Sequence, residues 1–287
     1  MIELKKIFLL LILLMVSFLL LSCKDDEQNQ VVVPTVENNY LEKPNGDVTP
    51  YDYSVLENIK IAEGVIINNP YFKTITTGKA LTDIAIITNE QSVYSEKIVF
   101  NDEILYFSVT TSKYKNEAVK RHYLSDKVLM QQGEIIAWNS VDWNGEISEH
   151  SYDYIKDNIG YIPNILTGYI INEESIIETS VIENTNYFYT AKIILNPSIA
   201  CAVTQKEIKY NSGALELPKY EYVELIVHMN ENWQVQQIIM HDIYELKVKL
   251  GVKITAPIDS TITETFYYLT QDELKAEISK GAITNVE

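Results

Sequence analysis

Strand-length segments rich in Ile, Val, Tyr and Thr recur from Asp52 to the C-terminus and constrain the fold more than any other feature of the chain. These residue types suit a half-buried pleated surface. No Gly-, Pro- or Ser-rich break divides the region, so residues 52–287 are predicted to form one domain. Strands are predicted at Thr74–Thr76, Ala80–Thr88, Ser92–Phe100, Leu105–Thr111, Ala118–Leu124, Glu134–Trp138, Ile177–Val181, Asn186–Leu195, Tyr220–Met229, Trp233–Val248 and Thr261–Leu269.

The segment Tyr220–Val248 favours a hairpin with one apolar face. If Asn230-Glu231-Asn232 is a three-residue loop, four pairs of residues face each other on one side of the hairpin. These pairs are Met229 with Trp233, Val227 with Val235, Leu225 with Gln237, and Val223 with Ile239. A shift of one residue would move every side chain to the other face. One apolar and one wetter face is typical of an antiparallel sheet covered on one side.

Helices are predicted between the strands from their terminal signals. Ser54 with Glu57 forms a capping-box pattern at the start of a helix that Asn68-Asn69-Pro70 ends. Asn196-Pro197 predicts a second helix, which runs to about Ser212 and closes at Gly213. The region 144–174 is predicted to hold short helices in a long connection, and Gln271–Lys280 a final helix. The predicted fold class is therefore α+β, an antiparallel sheet packed by a few helices.

The N-terminus has the layout of a secretory signal. Lys5 and Lys6 precede an apolar run, Ile7–Leu21, that is shorter than the roughly 20 residues of a membrane-spanning helix. Ser22-Cys23 closes this run and charged residues follow at once. We therefore predict a lipoprotein signal peptide over residues 1–22, and Cys23 as the residue that carries the fatty acids, palmitate among them. The alternative is an uncleaved membrane anchor, and both interpretations put the domain on the extracytoplasmic side of the cell membrane.

Residues 23–51 are predicted to be a flexible acidic tether, because they are polar and carry Pro34, Pro44, Pro50 and an Asn45-Gly46 turn signal.

The formal net charge of the chain is −17, and Arg121 is the only arginine. This balance disfavours nucleic acids and anionic headgroups as partners of the surface. Cys201 lies in an apolar patch, which favours a buried residue over a reactive thiol.

The residues that carry chemistry form no diagnostic motif. The four histidines lack the common zinc spacings, and no nucleophile elbow, phosphate-binding loop or Cys-x-x-Cys is present. His241 is predicted to face Glu221 across the hairpin, as an ion pair or as an acid/base or metal pair. Arg121-His122-Tyr123 is either a polar site in a cleft or a strand with one polar face. We therefore expect no enzymatic activity, no metal and no cofactor. The twenty tyrosines allow carbohydrate binding but are also usual in strands.

Two stretches resemble a group of uncharacterised bacterial lipoproteins with a fold like that of the lipoprotein carrier LolA. The first is Tyr71-Phe72 through Gly78, and the second runs from Asn196-Pro197 through Gly213 and the hairpin to Thr263–Tyr268. The resemblance implies a strongly curved antiparallel β-sheet, an open half-barrel with helices in its hollow. In characterised relatives that hollow holds acyl chains. No site residue of the family matches this chain residue by residue.

The sequence thus predicts a membrane-anchored envelope lipoprotein that binds a hydrophobic or amphipathic ligand, such as a lipid, between sheet and helices. The residues predicted to line this site are Val223, Leu225, Val227, Val235 and Ile239. The first alternative is a surface interaction or structural lipoprotein whose hollow is filled by its own side chains. A solute-binding lipoprotein of a transporter is a third interpretation, although the alternating strands and helices of that class are absent from the sequence pattern.

Overall fold

The computed structural model describes residues 40–84, 87–113, 116–137, 140–159, 166–250 and 252–283. The predicted signal peptide, the lipidation residue Cys23 and most of the predicted tether lie outside these residues. Within the described ranges, no helix has the length and apolar character needed to cross a membrane.

The described residues form an open, twelve-stranded antiparallel sheet. The order of its strands is β6-β5-β4-β3-β2-β1-β12-β11-β10-β9-β8, and β7 pairs with β5. The strands are β1 (Tyr71–Ile84), β2 (Ile87–Phe100), β3 (Glu103–Ser112), β4 (Asn116–Tyr123), β5 (Val128–Ala137), β6 (Ser140–Asp142), β7 (Ile147–His150), β8 (Ile176–Val181), β9 (Tyr189–Leu195), β10 (Lys219–Met229), β11 (Val235–Leu250) and β12 (Val252–Tyr267). The predicted α+β class, with a mostly antiparallel sheet, is confirmed.

The helices begin and end close to their sequence signals. They are α1 (Val55–Asn68), α2 (Tyr152–Asn158), α3 (Pro197–Ala200), α4 (Ala202–Ser212) and α5 (Gln271–Gly281). The Ser54–Glu57 capping box is formed, and Gly213 closes α4 in the left-handed conformation with φ 65°. The single predicted helix after Asn196 is divided at Cys201 into α3 and α4.

The two strands predicted around Gly78 are one strand. β1 runs unbroken through Gly78, which pairs with Val93 of β2 and Ile262 of β12. A Cβ at this position would lie 2.7 Å from the Thr261 carbonyl oxygen, so the glycine permits close approach of β12. The prediction of Ala80–Thr88 as one strand is wrong, because β1 ends at Ile84 and the antiparallel strand β2 begins at Ile87, both within that range.

The predicted register of the β10–β11 hairpin is wrong. Met229 pairs with Val235, and Val227 pairs with Ile238 instead of Val235. The loop is longer than three residues because Asn230 accepts hydrogen bonds from the backbone N–H groups of Asn232 and Gln234. The register also shifts between Met229 and His228, a bulge that places Ile238, instead of Ile239, on the buried face.

Each face of the sheet packs against different helices. We call the inner face the one that carries Phe72, Val99 and Ile104, because these residues join one large core cluster with α1 and α2. The outer face carries Ile98 and Leu105, which pack against Leu274 and Ile278 of α5. Alternation along each strand therefore supplies two separate apolar contacts.

Part of the predicted tether contacts the folded unit. The backbone N–H of Leu41 donates to the carbonyl oxygen of Lys60 in α1 at 3.0 Å. Pro50 is buried, and its carbonyl oxygen accepts a hydrogen bond of 2.8 Å from Asn58. Leu41 and Pro50 therefore lie against α1.

Candidate binding site

The apolar residues predicted to line a ligand site are packed against the protein itself. Val223 and Val235 are fully buried, with 0 % exposure, and Leu225 and Val227 are buried in the same core cluster as α1. Ile239 is only half-buried and lies on the other side of the strand from Ile238. The four residues therefore share a face as predicted, while Ile239 does not belong to it.

Trp233 and Asn58 form a buried hydrogen bond in this part of the core. The indole Nε1 of Trp233 donates a hydrogen bond of 2.6 Å to the Asn58 side-chain oxygen of α1. Both side chains are buried, with exposures of 1 % and 0 %. This bond fixes α1 over the β10–β11 hairpin, because a buried donor without a partner is costly.

A different part of the inner face carries charge. Lys97 of β2 and Glu264 of β12 form an ion pair of 3.1 Å across the intervening strand β1. Their side chains are only 4 % and 10 % exposed. Ion pairs with this little exposure carry a large desolvation cost.

The sole arginine lies in the same region, beneath α4. Arg121 of β4 is 3 % exposed. Its Nη2 donates to the side-chain oxygen of Asn211 at 3.3 Å, and its Nη1 lies 3.9 Å from Glu207 Oε1. The guanidinium also lies over the Tyr106 ring, 5.5 Å from its centroid. We call Lys97, Arg121, Glu207 and Glu264 the inner charge cluster.

The inner charge cluster contains donors without a full set of partners. Among the described residues, neither the Lys97 ammonium nor Arg121 Nε makes a hydrogen bond of good geometry, and Thr74 Oγ1 beside them also lacks one. Burial raises the pKa of the Glu207 carboxyl, although nearby Arg121 and Lys97 oppose this effect. Protonation of Glu207 would remove the negative charge beside Arg121, which would leave the inner charge cluster with a net positive charge.

Helix α4 covers the inner charge cluster with little apolar packing. Val203 is the one residue of this helix that is buried. The contacts of Glu207 and Asn211 with Arg121 attach its middle and end to the sheet. The helix is therefore held in large part by polar contacts, which are individually modest in net strength.

A second polar group lies at the other end of α4. Asp242 of β11 is 4 % exposed, and burial raises the pKa of its carboxyl to about 6, while Tyr169 and His241 oppose the rise. Tyr220 and Tyr244 stand beside it, with ring centroids 4.9 Å apart. Cys201 is fully buried in this group, as predicted, and burial raises the pKa of its thiol to about 12. Its thiol is therefore a weak nucleophile.

The histidines are distributed over separate places. His122 points to the outer face, where its Nε2 lies 2.8 Å from Glu103 Oε1, so Arg121-His122-Tyr123 does not form one site. His241 pairs with Glu224, not Glu221, and contacts Asp259 at 3.0 Å. In the ranges that the structure describes, no three His, Cys, Asp or Glu residues are grouped as a metal would require.

Sequence reasoning identified Arg121 as a candidate but missed its partners. Lys97, Glu207 and Glu264 come from β2, α4 and β12, and no spacing along the chain relates them. The only local signal was a single arginine in a strand of an acidic protein. The contacts arise from the sheet order, which brings β12 next to β1.

Comparisons with known proteins give a weak structural likeness. No family model and no curated protein matches the chain. The outer membrane lipoprotein-sorting protein domain from Vibrio parahaemolyticus is similar at 8 % identity and a TM-score of 0.23, over 78 % of this chain and 97 % of that one. MucB in complex with MucA(peri) is similar at 4 % identity and a TM-score of 0.14, over 77 % of this chain and 97 % of that one. These values assign the chain to no family.

Proposed function

We propose that this protein is a membrane-anchored envelope lipoprotein without enzymatic activity, which binds an anionic amphipathic ligand on the inner face beneath α4. The observation that supports this is the inner charge cluster, with buried cationic donors that lack full hydrogen-bonding, under a helix that buries one residue. Buried polar atoms without partners are rare in native structures and call for an explanation. A ligand that enters beneath α4 supplies one.

The charged end of the ligand replaces Glu207 as the partner of Arg121. Because burial raises the pKa of Glu207, this carboxyl takes up a proton more readily than an exposed one. A carboxylate or phosphate ligand then accepts hydrogen bonds from Arg121, while Lys97 adds positive charge nearby. Glu264 lies 3.1 Å from Lys97 and limits the site to ligands with a single anionic group.

The apolar part of the ligand lies along the half-buried side chains around α4. Tyr106, Met130, Tyr154 and Ile208 pack against the large core without being fully buried. They are next to the inner charge cluster, since Met130 pairs with Arg121 in the sheet. The proposed ligand site thus differs from the one predicted from the sequence, at Val223, Leu225, Val227, Val235 and Ile239.

A fluorescent fatty acid with a free carboxylate tests this proposal. We use the chain without residues 1–22 and with Cys23→Ser, and titrate it with the probe and with its methyl ester. The acid is expected to bind the unsubstituted domain and to bind Arg121→Gln about tenfold more weakly, the effect of a lost charged hydrogen bond. Lys247→Gln, which removes an exposed cation paired with Glu216, is the matched control and should bind normally.

Glu207→Gln keeps the test informative if Arg121→Gln does not fold. It removes the carboxylate that competes for Arg121, so the acid should bind at least as tightly and with less dependence on pH. No binding of the acid by the unsubstituted domain, or equal binding of the acid and its ester, would overturn the proposal.

The second candidate function is an interaction or structural lipoprotein with a filled core. The observation in its favour is the complete burial of Val223 and Val235 under α1. This function predicts that no lipid accompanies the protein. Native mass spectrometry of the protein purified from bacterial membranes distinguishes the two, because a bound lipid adds its mass to the domain.

A further inference from the structure

The free edge of β8 is a second candidate binding site, on a different part of the molecule from the inner charge cluster. β8 ends the sheet, and among the described residues no strand pairs with its outer side. An unpaired edge offers a row of backbone donors and acceptors to another chain. The other end of the sheet is the much shorter strand β6 (Ser140–Asp142).

The register of β8 on β9 identifies which backbone groups are free. The Ile182 N–H donates to the Thr190 carbonyl oxygen at 2.9 Å, so Ile182 and Thr190 are a hydrogen-bonded pair. Such pairs alternate in antiparallel sheets, so Ser180 and Glu178 are also directed towards β9. The N–H and C=O groups of Thr179 and Val181 therefore point to the open side.

The side chains of β8 leave this edge accessible. Ile177 is 63 % exposed and Val181 is 50 % exposed, which is unusual for apolar residues of a strand. Edge strands are commonly protected by lysine or proline, and β8 has neither. Its protection consists of Glu178 and a register shift between Ile176 and Glu178.

The negative charge of the residues around β8 indicates which kind of strand could pair with its free edge. Residues 166–191 contain four glutamates, Glu173, Glu174, Glu178 and Glu183, and no Lys, Arg or His. All four are exposed, and the neighbouring cation Lys192 of β9, opposite Ser180, is already paired with Glu224 at 2.6 Å. A second copy of this chain, with a net charge of −17, would bring the same acidic strand against itself. A basic segment is attracted instead.

We propose that the free edge of β8 binds an extended basic peptide segment of a partner protein as an added strand. The backbone of the segment pairs with Thr179 and Val181. Its apolar side chains lie next to Val181 on one side of the strand, and its alternate Lys or Arg side chains lie next to Glu178 on the other. Main-chain bonds provide affinity in this mode of recognition, and alternate side chains provide specificity.

The test uses full-length protein in phosphatidylcholine nanodiscs, which do not attract cations. The probe is a fluorescent peptide of alternating Val and Lys, about eight residues long, the size of an ordinary strand. Fluorescence anisotropy compares it with a Val/Glu peptide and with a Val/Lys peptide whose valine nitrogens are methylated. We expect the unmodified Val/Lys peptide to bind, and each comparison peptide to bind about tenfold or more weakly, because each loses charge or backbone pairing.

Two substitutions at one position separate backbone pairing from charge. Thr179→Pro removes an N–H that points away from β9, which an edge strand tolerates, and it should weaken binding about tenfold. Thr179→Val retains the N–H and the branched side chain, and should bind normally. If Thr179→Pro does not fold, as judged by circular dichroism, Val181→Lys and Glu178→Lys replace it and should each weaken binding.

Three results would overturn the proposal. One is the absence of binding by the unmodified peptide. Another is equal binding of the methylated peptide or of Thr179→Pro, which would reduce the interaction to charge alone. The third is a concentration-dependent dimer that Thr179→Pro abolishes, which would make a second copy the occupant. None of these measurements involves the inner charge cluster, so a result that overturns peptide binding at β8 does not contradict the proposed binding of an anionic ligand beneath α4.

Discussion

At the scale of single residues, Asp242 links the buried inner face to pH. Its folded-state pKa is about 6, while the ordinary value for the unfolded chain is 3.8, so the folded protein binds more protons between these values. Stability from this group therefore falls as pH rises from about 4 to 6 and stays constant above that range. The free energy of unfolding changes by roughly 3 kcal/mol at most over this range, since a pKa difference of one between the folded and unfolded states is worth about 1.4 kcal/mol.

Asp242→Asn removes this titration and retains the shape of the side chain. We expect the variant to match the unsubstituted protein near pH 4 and to exceed its stability near pH 7. Urea unfolding at a series of pH values measures the difference. Asp157→Asn is the control because Asp157 is exposed on α2, away from Asp242, and it should retain the original pH dependence. Identical slopes for Asp242→Asn and the unsubstituted protein would contradict the assignment.

At the scale of elements, the corrected register of β10 and β11 has a direct test. Val235 is fully buried and Ile239 is half-buried, although the sequence predicted both on one face. Val235→Ala should cost roughly 2 kcal/mol, and Ile239→Ala, the matched control, clearly less. Val235→Trp should destabilise more than either, because the packed core has no space for the ring. Thermal melting of the three variants measures the order, and a near-normal melt of Val235→Trp would reveal an open cavity.

The contact of β1 with β12 depends on Gly78. A methyl group there would meet backbone atoms of Thr261 and Ile262 at 2.7 and 2.9 Å. Gly78→Ala should therefore lower the free energy of unfolding by about 1–3 kcal/mol, the usual cost of overpacking. Thr77→Ala, on the exposed side of the same strand, should change it by less than about 0.5 kcal/mol. Equal effects of the two substitutions in urea unfolding would show that β12 moves away freely.

At the scale of the whole molecule, the anchoring prediction rests on the sequence around Cys23. Metabolic labelling with a fatty-acid probe should mark the full-length protein and not Cys23→Ala, since only a lipidated cysteine would carry the label. Cys201→Ala is the control, because Cys201 is buried and should not affect labelling. Equal labelling of Cys23→Ala would exclude lipidation at this residue. Two or more acyl chains are needed for stable attachment.

The sequence by itself determined the features that depend on neighbouring residues. The capping box of Ser54 and Glu57, the start of α3 at Asn196-Pro197 and the left-handed close at Gly213 are formed as predicted. Each joins groups within a few positions of the chain, so its energy is decided locally. The strand-rich composition likewise predicted the antiparallel α+β class.

Only the tertiary structure decided the register and the inner charge cluster. The bulge that places Ile238 instead of Ile239 on the buried face lies beside the loop in which Asn230 accepts two backbone hydrogen bonds, and side-chain alternation alone does not encode it. Lys97 meets Glu264 because the strand order places both β2 and β12 beside β1, and Arg121 meets Glu207 because α4 packs over β4. Contacts between residues so distant along the chain depend on the assembly of the whole sheet, and no local pattern records them.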